Sequence, residues 1–370
     1  MRRLQLAMLS GFIAACTLTY TPETILSHHT TENAPANVEK MDEFVPGRIG
    51  PDHFPAGMNP LTGQPAADPA TLNRPPILAK ISNAPPIVRP QAGIGSANLV
   101  YEHYAEGGLT RFSALFHGAA PDRVGSIRSA RLIDYELMPM YGSLLAFSGA
   151  SIGVEDRLNT SEFIERLYKG VLYGQPYYWR DEDIAIPHNM FFNPNALWEL
   201  AASEGLAQAP PLNGMAFQPE APPDAISPAN TIEIAYRATR VLWEYDPVTG
   251  RYARSADGLP HFDANTETQI TAANVIVLYA EHRLTDIIES QWQDSISYSI
   301  EIKLWFEGEA VIFRDGQRYE ARWVRPTRED LIGFRTADGE IFYLKPGNTW
   351  IQVFPPPDQQ EPEEEWVRVE

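Results

Sequence analysis

Residues 209–229 hold six prolines, Pro210, Pro211, Pro219, Pro222, Pro223 and Pro228. Each fixes φ and lacks the N–H that a helix or inner strand requires, so the stretch predicts a linker rather than a regular element. One domain is expected over 56–208 and another over 230–354. At 370 residues the chain is long enough for two domains of ~100–200 residues, each with its own core. The halves differ in kind. The first mixes strand-like runs at Ile77–Ile81 and Leu144–Phe147 with helical patterns at Ser161–Tyr168, at Asn195–Glu204 and after Ser129. The second is read as strands at Ile232–Tyr236, Val241–Tyr245, Asn274–Tyr279, Ile296–Phe306, Ala310–Phe313 and Ile341–Leu344. Its Asp315-Gly316 and Asp338-Gly339 pairs favour hairpin turns. The expected fold class is α+β, a mixed α/β N-terminal domain followed by a mostly antiparallel, β-rich C-terminal domain.

The ends of the chain carry different messages. Arg2 and Arg3 precede an apolar run from Leu4 to Ala15, and small residues then lead into Cys16. The run is shorter than the ~20 residues of a membrane span, and Ala14 and Ala15 suit a signal-peptidase site. Residues 1–15 therefore read as a lipoprotein signal peptide and Cys16, the chain's single cysteine, as the lipid-bearing residue. Two or more acyl chains there would anchor the protein stably, where one binds only marginally. This predicts a lipid-anchored protein on the extracytoplasmic face of a bacterial membrane. Residues 16–55 lack periodicity and suit a flexible tether. Residues 355–370 open on three prolines and carry Asp358, Glu361, Glu363, Glu364, Glu365 and Glu370, which predicts a solvated acidic tail.

Charge and cysteine content exclude several classes of function. With 29 Lys and Arg against 48 Asp and Glu, the net charge is −19, and such a surface repels nucleic-acid phosphates. One cysteine rules out an internal disulfide framework and a multi-cysteine metal centre. No metal and no cofactor is expected.

Against this acidic background, Gly107 to Arg131 is locally basic, with Arg111, Arg123, Arg128 and Arg131 against Asp122. The segment Asn98–Phe116 alternates like a hairpin. A two-residue turn at Gly107-Gly108 would place Glu102, Tyr104, Glu106, Arg111 and Ser113 on one face, with Arg111 diagonal to both carboxylates. The opposite face would carry His103 with the apolar side chains. Glu102 and Glu106 would stand roughly 13 Å apart along the strand, beyond the ~5–9.5 Å of a glycosidase pair. Either a structural Arg–Glu network or a ligand pocket with a preorganised Arg111 results. Downstream, Ser129 can cap a helix that begins near Leu132, and Arg128 and Arg131 would add charge to an anion site at its N-terminus.

Weaker patterns stand beside these. Gly149-Ala-Ser-Ile-Gly153 matches a nucleophile elbow with Ser151, although the strand–helix alternation of such folds is missing. His188 follows Asp181, Glu182 and Asp183 and could act as base or ligand, or simply bond to backbone. His261 and Asp263 would be two ligands of a metal, too few for a site. Trp243, Tyr245, Trp305, Trp323 and Trp350 are read as filling a β core rather than as a carbohydrate-stacking surface.

Asn59-Pro-Leu-Thr-Gly63, Arg89-Pro-Gln-Ala-Gly93, Glu106-Gly-Gly-Leu-Thr-Arg-Phe112, Ser126-Ile-Arg-Ser-Ala-Arg131 and Pro187-His-Asn189 resemble the YerB-like lipoprotein family. So do Val241-Leu-Trp-Glu-Tyr245, Asn274-Val-Ile-Val277 and Pro346-Gly-Asn-Thr-Trp350. The resemblance covers residues 56 to 354. It implies a two-part α+β envelope lipoprotein and brings no catalytic residues. The expected activity is binding, with Glu102, Glu106, Arg111, Arg128, Ser129, Arg131, His188 and Asn189 around an anionic, peptide-like or cell-wall-derived ligand. An envelope hydrolase or transferase acting on wall material through Glu102, His188 or Ser151 is the competing reading. A scaffold for an envelope protein partner is the third.

Overall fold

The computed structural model describes residues 47–370. The first half forms strands β1 (Ile77–Ser82), β2 (Leu99–Tyr104) and β3 (Thr110–Phe116), helix α1 (Leu132–Tyr141), β4 (Leu144–Phe147), helix α2 (Ile152–Asn159), β5 (Leu167–Lys169) and helix α3 (Pro194–Ser203). The second half forms β6 (Thr231–Tyr236), β7 (Thr239–Asp246), β8 (Arg251–Ala256), β9 (Asn274–Tyr279), β10 (His282–Trp292) and β11 (Ser295–Ile302). It ends with β12 (Phe306–Arg314), β13 (Gln317–Arg325), β14 (Thr349–Phe354) and β15 (Trp366–Val369). Three α-helices among many strands in the described residues make the fold α+β. Cys16 and the tether up to residue 46 lie outside the described residues. The rest of the expected tether is already docked, since Ile49 exchanges backbone hydrogen bonds with Phe217.

Local chemistry explains most elements. Asn193 caps α3 by accepting the N–H groups of Asn195 and Ala196, and Pro194 occupies the first helical position, where no N–H is needed. Helix α1 stops at Gly142, which takes the left-handed conformation at φ 48°. Asp315 and Gly316, at φ 54° and 71°, make the tight turn between β12 and β13. The helix expected over Ser161–Tyr168 does not form. Ser161 donates to the Leu158 carbonyl, closing α2 instead of starting a helix, and Leu167 and Tyr168 are taken into a parallel ladder with β4. Ile341–Leu344 makes only isolated bridges, to Arg335 and Phe217.

One sheet of eleven strands crosses both halves, in the order Ser227–Pro228, β13, β12, β9, β14, β2, β3, β1, β4, β5, with Gly333–Arg335 also paired to β13. Strand β14 is the seam. It runs parallel to β9 on one side and to β2 on the other, with Trp350 opposite both Val275 and Val100. The proline-rich stretch 209–229 is largely irregular, yet the halves it separates in sequence share backbone hydrogen bonds at mid-sheet. The expected solvated tail is likewise part of the fold. Trp366–Val369 pairs with β6, extending a second sheet that contains β8, β7 and β6.

The large sheet has a core on each face. Leu78, Leu99, Tyr101, Leu115 and Leu145 pack on α1 and α2. Their alternating neighbours Ile77, Val100, Phe112, Ala114 and Phe116 pack on α3 and the second sheet. Strands buried on both faces read as nearly continuous apolar runs, and the polar residues inside them mark the sites described next.

Candidate functional site

The turn between β2 and β3 takes five residues, 105–109, with Gly107 and Gly108 at φ 66° and 74°, rather than two. His103 therefore opposes Arg111, and Tyr101 opposes Ser113. The change of register is odd, so it moves His103 onto the face of Arg111 and Ser113 and puts Glu102 on the other. The expected grouping of Glu102 with Arg111 is corrected accordingly.

On the α1 face lies a closed ionic cluster. Lys80 Nζ donates to His103 Nε2 at 2.7 Å, Ser113 Oγ at 2.8 Å and Asp134 Oδ1 at 2.9 Å, and all four side chains are fully buried. His103 Nδ1 donates to the Tyr104 carbonyl, so Nε2 is the acceptor for Lys80. Burial pulls Lys80 down to about 8 despite Asp134, and burial with the Lys80 charge holds His103 well below its ordinary value. Asp134 Oδ2 accepts the Arg131 N–H at 2.7 Å. The N-terminus of α1 thus already holds its own carboxylate, two residues beyond the expected Ser129 cap. A Ser–Lys contact can serve nucleophilic catalysis, but Ser113 is sealed from solvent and donates to Asp134.

Above this cluster lies a layer of arginines. Arg111 NH2 donates to Glu106 Oε1 at 2.9 Å, and Arg131 Nε donates to Glu106 Oε2 at 2.8 Å, with a second contact from Arg131 NH2. Both guanidiniums also reach the Ser129 carbonyl. Burial alone would raise the Glu106 carboxyl, but Arg111 and Arg131 hold it at about 2. Burial and the neighbouring Arg131 pull Arg111 down to about 9. A second carboxylate, Glu289 of β10, approaches Arg131 at 3.6 Å with its side chain 2% exposed.

Arg128 continues the basic patch toward His188, whose own value is lowered by burial and by the Arg128 charge. Arg128 NH1 points at the Pro187 carbonyl, 3.4 Å away. Among the described residues it has no carboxylate within 4.0 Å, whereas Arg123 pairs with Asp181 at 2.7 Å and Arg89 with Asp257 at 2.6 Å. His188, Arg89, Arg123 and Ser126 line a cavity of about 330 Å³. Ser126, 3% exposed, has a buried Oγ with no partner among the described residues, and His188 Nδ1 is likewise unpaired. Asn189 is structural, accepting from Arg180 and donating to the Asp181 carbonyl.

The opposite face of the hairpin is a different network. Glu102 accepts from Asn83 and Thr110 through Oε1 and from Arg254 of β8 through Oε2 at 2.8 Å, fully buried. The Arg254 guanidinium stands 5.1–5.8 Å from the rings of Phe112, Trp243 and Trp350 and donates to His261 Nδ1. His261 Nε2 donates to Gln91 at 2.5 Å. Burial, then Arg254, keeps His261 well below its ordinary value. Asp263 accepts the N–H groups of Gly93, Gly95 and Asn265. Both candidate metal ligands therefore spend their lone pairs inside the protein, joining the halves. Ser151 begins α2, and its Oγ bonds neither a histidine nor a carboxylate among the described residues, so the elbow pattern forms no catalytic pair. Trp243, Trp323 and Trp350 are core residues, whereas Trp305 is 53% exposed.

Lys80, Asp134, Ser126 and Glu289 are not singled out by sequence pattern. Lys80 has a visible signal, a lone cation in the apolar run Ile77–Ile81. Glu289 has none, lying 158 residues from Arg131.

Residues 61–207 match the family described as "Protein of unknown function (DUF3048) N-terminal domain", and residues 232–351 match its C-terminal domain. The chain belongs to the YerB-like lipoprotein family. Over 303 residues it is 28% identical to the protein named "Putative lipoprotein YerB" of Bacillus subtilis (strain 168), covering 80% of this chain and 86% of that protein. The crystal structure of the YerB protein from Bacillus subtilis superposes with a TM-score of 0.70 at 26% identity, over 84% of this chain and 99% of that one. No helix among the described residues is long and apolar enough to cross a membrane.

Proposed function

We propose that this member of the YerB-like family is held on the extracytoplasmic face of a bacterial membrane by an acylated Cys16 and binds an anionic ligand there. The ligand enters the cavity lined by Arg89, Arg123, Ser126 and His188, with Arg128 beside it. One observation carries the reading. Ser126 Oγ is a buried hydroxyl without a partner among the described residues, in the wall of a cavity whose charged and imidazole lining is Arg89, Arg123, His188 and Asp183. Leaving a buried polar group unsatisfied costs about 1–3 kcal/mol, and a bound anion oxygen would accept its proton and recover that cost. Arg128 has no carboxylate within 4.0 Å among the described residues, and the charge of Glu106, felt at longer range and already paired with Arg111 and Arg131, offsets it only in part. Glu102 and Asn189 fall outside this site, and Glu106 acts as the counterion that orders Arg111 and Arg131 beside it.

A thermal-shift series with inorganic phosphate, run on the full chain and on Arg128→Ala and Ser126→Ala, tests the reading. At 100 times Kd the ligand adds about 2.7 kcal/mol of stability, so the unsubstituted chain should melt higher and both variants should lose most of the shift. Equal shifts in all three proteins, or none with phosphate, sulfate or acetate, would remove it.

A further inference from the structure

Strands β10 and β11 form a two-stranded arm outside both large sheets, paired only with each other. An isolated hairpin of this kind is marginal unless something holds it down. The arm lies on α1, α2 and the turn at Glu106–Gly108. Its two ends differ. Near the base, Ile302 is 2% exposed in the core with α1 and α2, and Ile287 and Ile300 pack against it, Ile287 close to Gly153. In the distal half Ile288, Ile296 and Tyr298 face solvent while the inward side carries Glu289, Ser297 and Ser299, so apolar burial contributes little to docking there. The buried polar contacts are those of Glu289, which accepts from Ser299 Oγ at 2.6 Å and stands 3.6 Å from Arg131 NH1.

Seen from the arginines, Glu289 is a carboxylate delivered by the distal half of the arm to Arg131, near enough to Arg111 to act on its charge. Glu106, in the turn on which the arm rests, already pairs both guanidiniums at hydrogen-bonding distance, whereas Glu289 meets Arg131 only loosely. A carboxylate in a charged, buried site without close donors from its partner is poorly compensated and easily exchanged for one that fits better.

We propose that Arg111 and Arg131 form a carboxylate-binding site whose resident occupant is the chain's own Glu289, and that a ligand carboxylate, such as the free C-terminus of a short peptide, displaces Glu289 and releases the distal half of the arm, residues 288–298. This deepens the reading that this surface takes anions, and it names a second position for them, distinct from the Ser126 cavity. Competition between tethered and free carboxylates gives the coupling its sign, because any change that weakens Glu289 strengthens the ligand.

The probes are acetyl-dialanine and its C-terminal amide, titrated calorimetrically into the full chain, with hydrogen exchange followed across the arm. Glu289→Gln keeps the shape and removes the charge, and it should bind the acid about tenfold tighter than the unsubstituted chain, with the amide unaffected. The acid should also speed exchange of the amides of residues 288–298 in the unsubstituted chain. Ser299→Ala, which frees Glu289 from its hydroxyl, should shift acid affinity the same way by less, and it decides the matter if Glu289→Gln does not fold. Arg131→Met should abolish the effect, whereas Arg128→Ala should leave it intact. Equal affinity for acid and amide, or a Glu289→Gln arm that exchanges faster without a gain in acid affinity, would overturn the proposal. A phosphate response lost on Arg128→Ala without any acid effect would overturn it too and leave the cavity reading standing alone.

Discussion

The two faces of the β2–β3 hairpin bury similar chemistry to opposite ends. On one, Glu102 is enclosed by Asn83, Thr110 and Arg254, and Arg254 is enclosed by three aromatic rings, so every charge has its partner inside the protein. On the other, Lys80 and Asp134 are equally sealed and Arg111 and Arg131 above them are buried against Glu106, but the basic patch continues to Arg128, beside a cavity with an unsatisfied Ser126. A buried ion pair is weak evidence for function, since it serves register and orientation as readily. Incomplete compensation at the edge of a cavity is the ground on which the anion site is proposed on this face and not on the Glu102 face.

The sharpest way to break this contrast is to remove one charge from the seam. Arg254→Met leaves Glu102 buried and uncompensated and should cost about 3–5 kcal/mol in urea or guanidinium unfolding, because burial of an unpaired charge is so unfavourable. If the variant unfolds at the same denaturant concentration as the unsubstituted protein, the network does not hold the halves together.

Acid should separate the faces next. Glu106, held at about 2 against 4.5 when unfolded, stabilises the protein fully above pH 4.5 and loses that contribution as the pH falls toward 2. The folded state binds fewer protons than the unfolded one across that window, so stability there rises with pH, by up to about 3 kcal/mol for this group. Glu106→Gln should flatten that part of the stability–pH curve. A curve of unchanged slope would show that the arginines do not depend on this carboxylate.

The smallest effect is expected at Arg128. With no carboxylate to lose among the described residues, Arg128→Ala should change unfolding stability by less than about 0.5 kcal/mol, as ordinary surface substitutions do. A loss of about 2 kcal/mol or more, read from the same denaturation curves, would move Arg128 into the structural network and out of the binding surface.

Much of this contrast is legible in the amino-acid sequence. The apolar runs at Ile77–Ile81, Leu144–Phe147 and Asn274–Tyr279 are strands because buried sheet demands continuous apolar sequence, and Asn193-Pro194 opens α3 through ordinary capping chemistry. The basic character of Gly107 to Arg131 is visible by composition, and in the fold Arg111, Arg128 and Arg131 lie close enough to act on one another's charge, with His188 beside Arg128. Two departures from expectation have a common cause. The glycine pair suggests a hairpin turn of two residues where the backbone uses five, and the acidic tail suggests a solvated end although Glu365 accepts the Tyr104 hydroxyl at 2.5 Å beneath β15. Turn length and tail docking depend on partners far along the chain, which local pattern does not encode.

The chemistry of neighbouring residues thus suffices for most of the elements, though not for Ser161–Tyr168 or Ile341–Leu344, and for the proline-rich break, the cysteine suited to a lipid and the basic segment within an acidic chain. Tertiary packing decides the rest: that β14 joins the halves in a single sheet, that Glu102 is spent on Arg254, and that Glu289 comes to rest on Arg131. Those outcomes bring together residues more than a hundred positions apart. Their pairing is set by the packing of whole sheets, in which a one-residue change of register reverses the face on which a charge is buried.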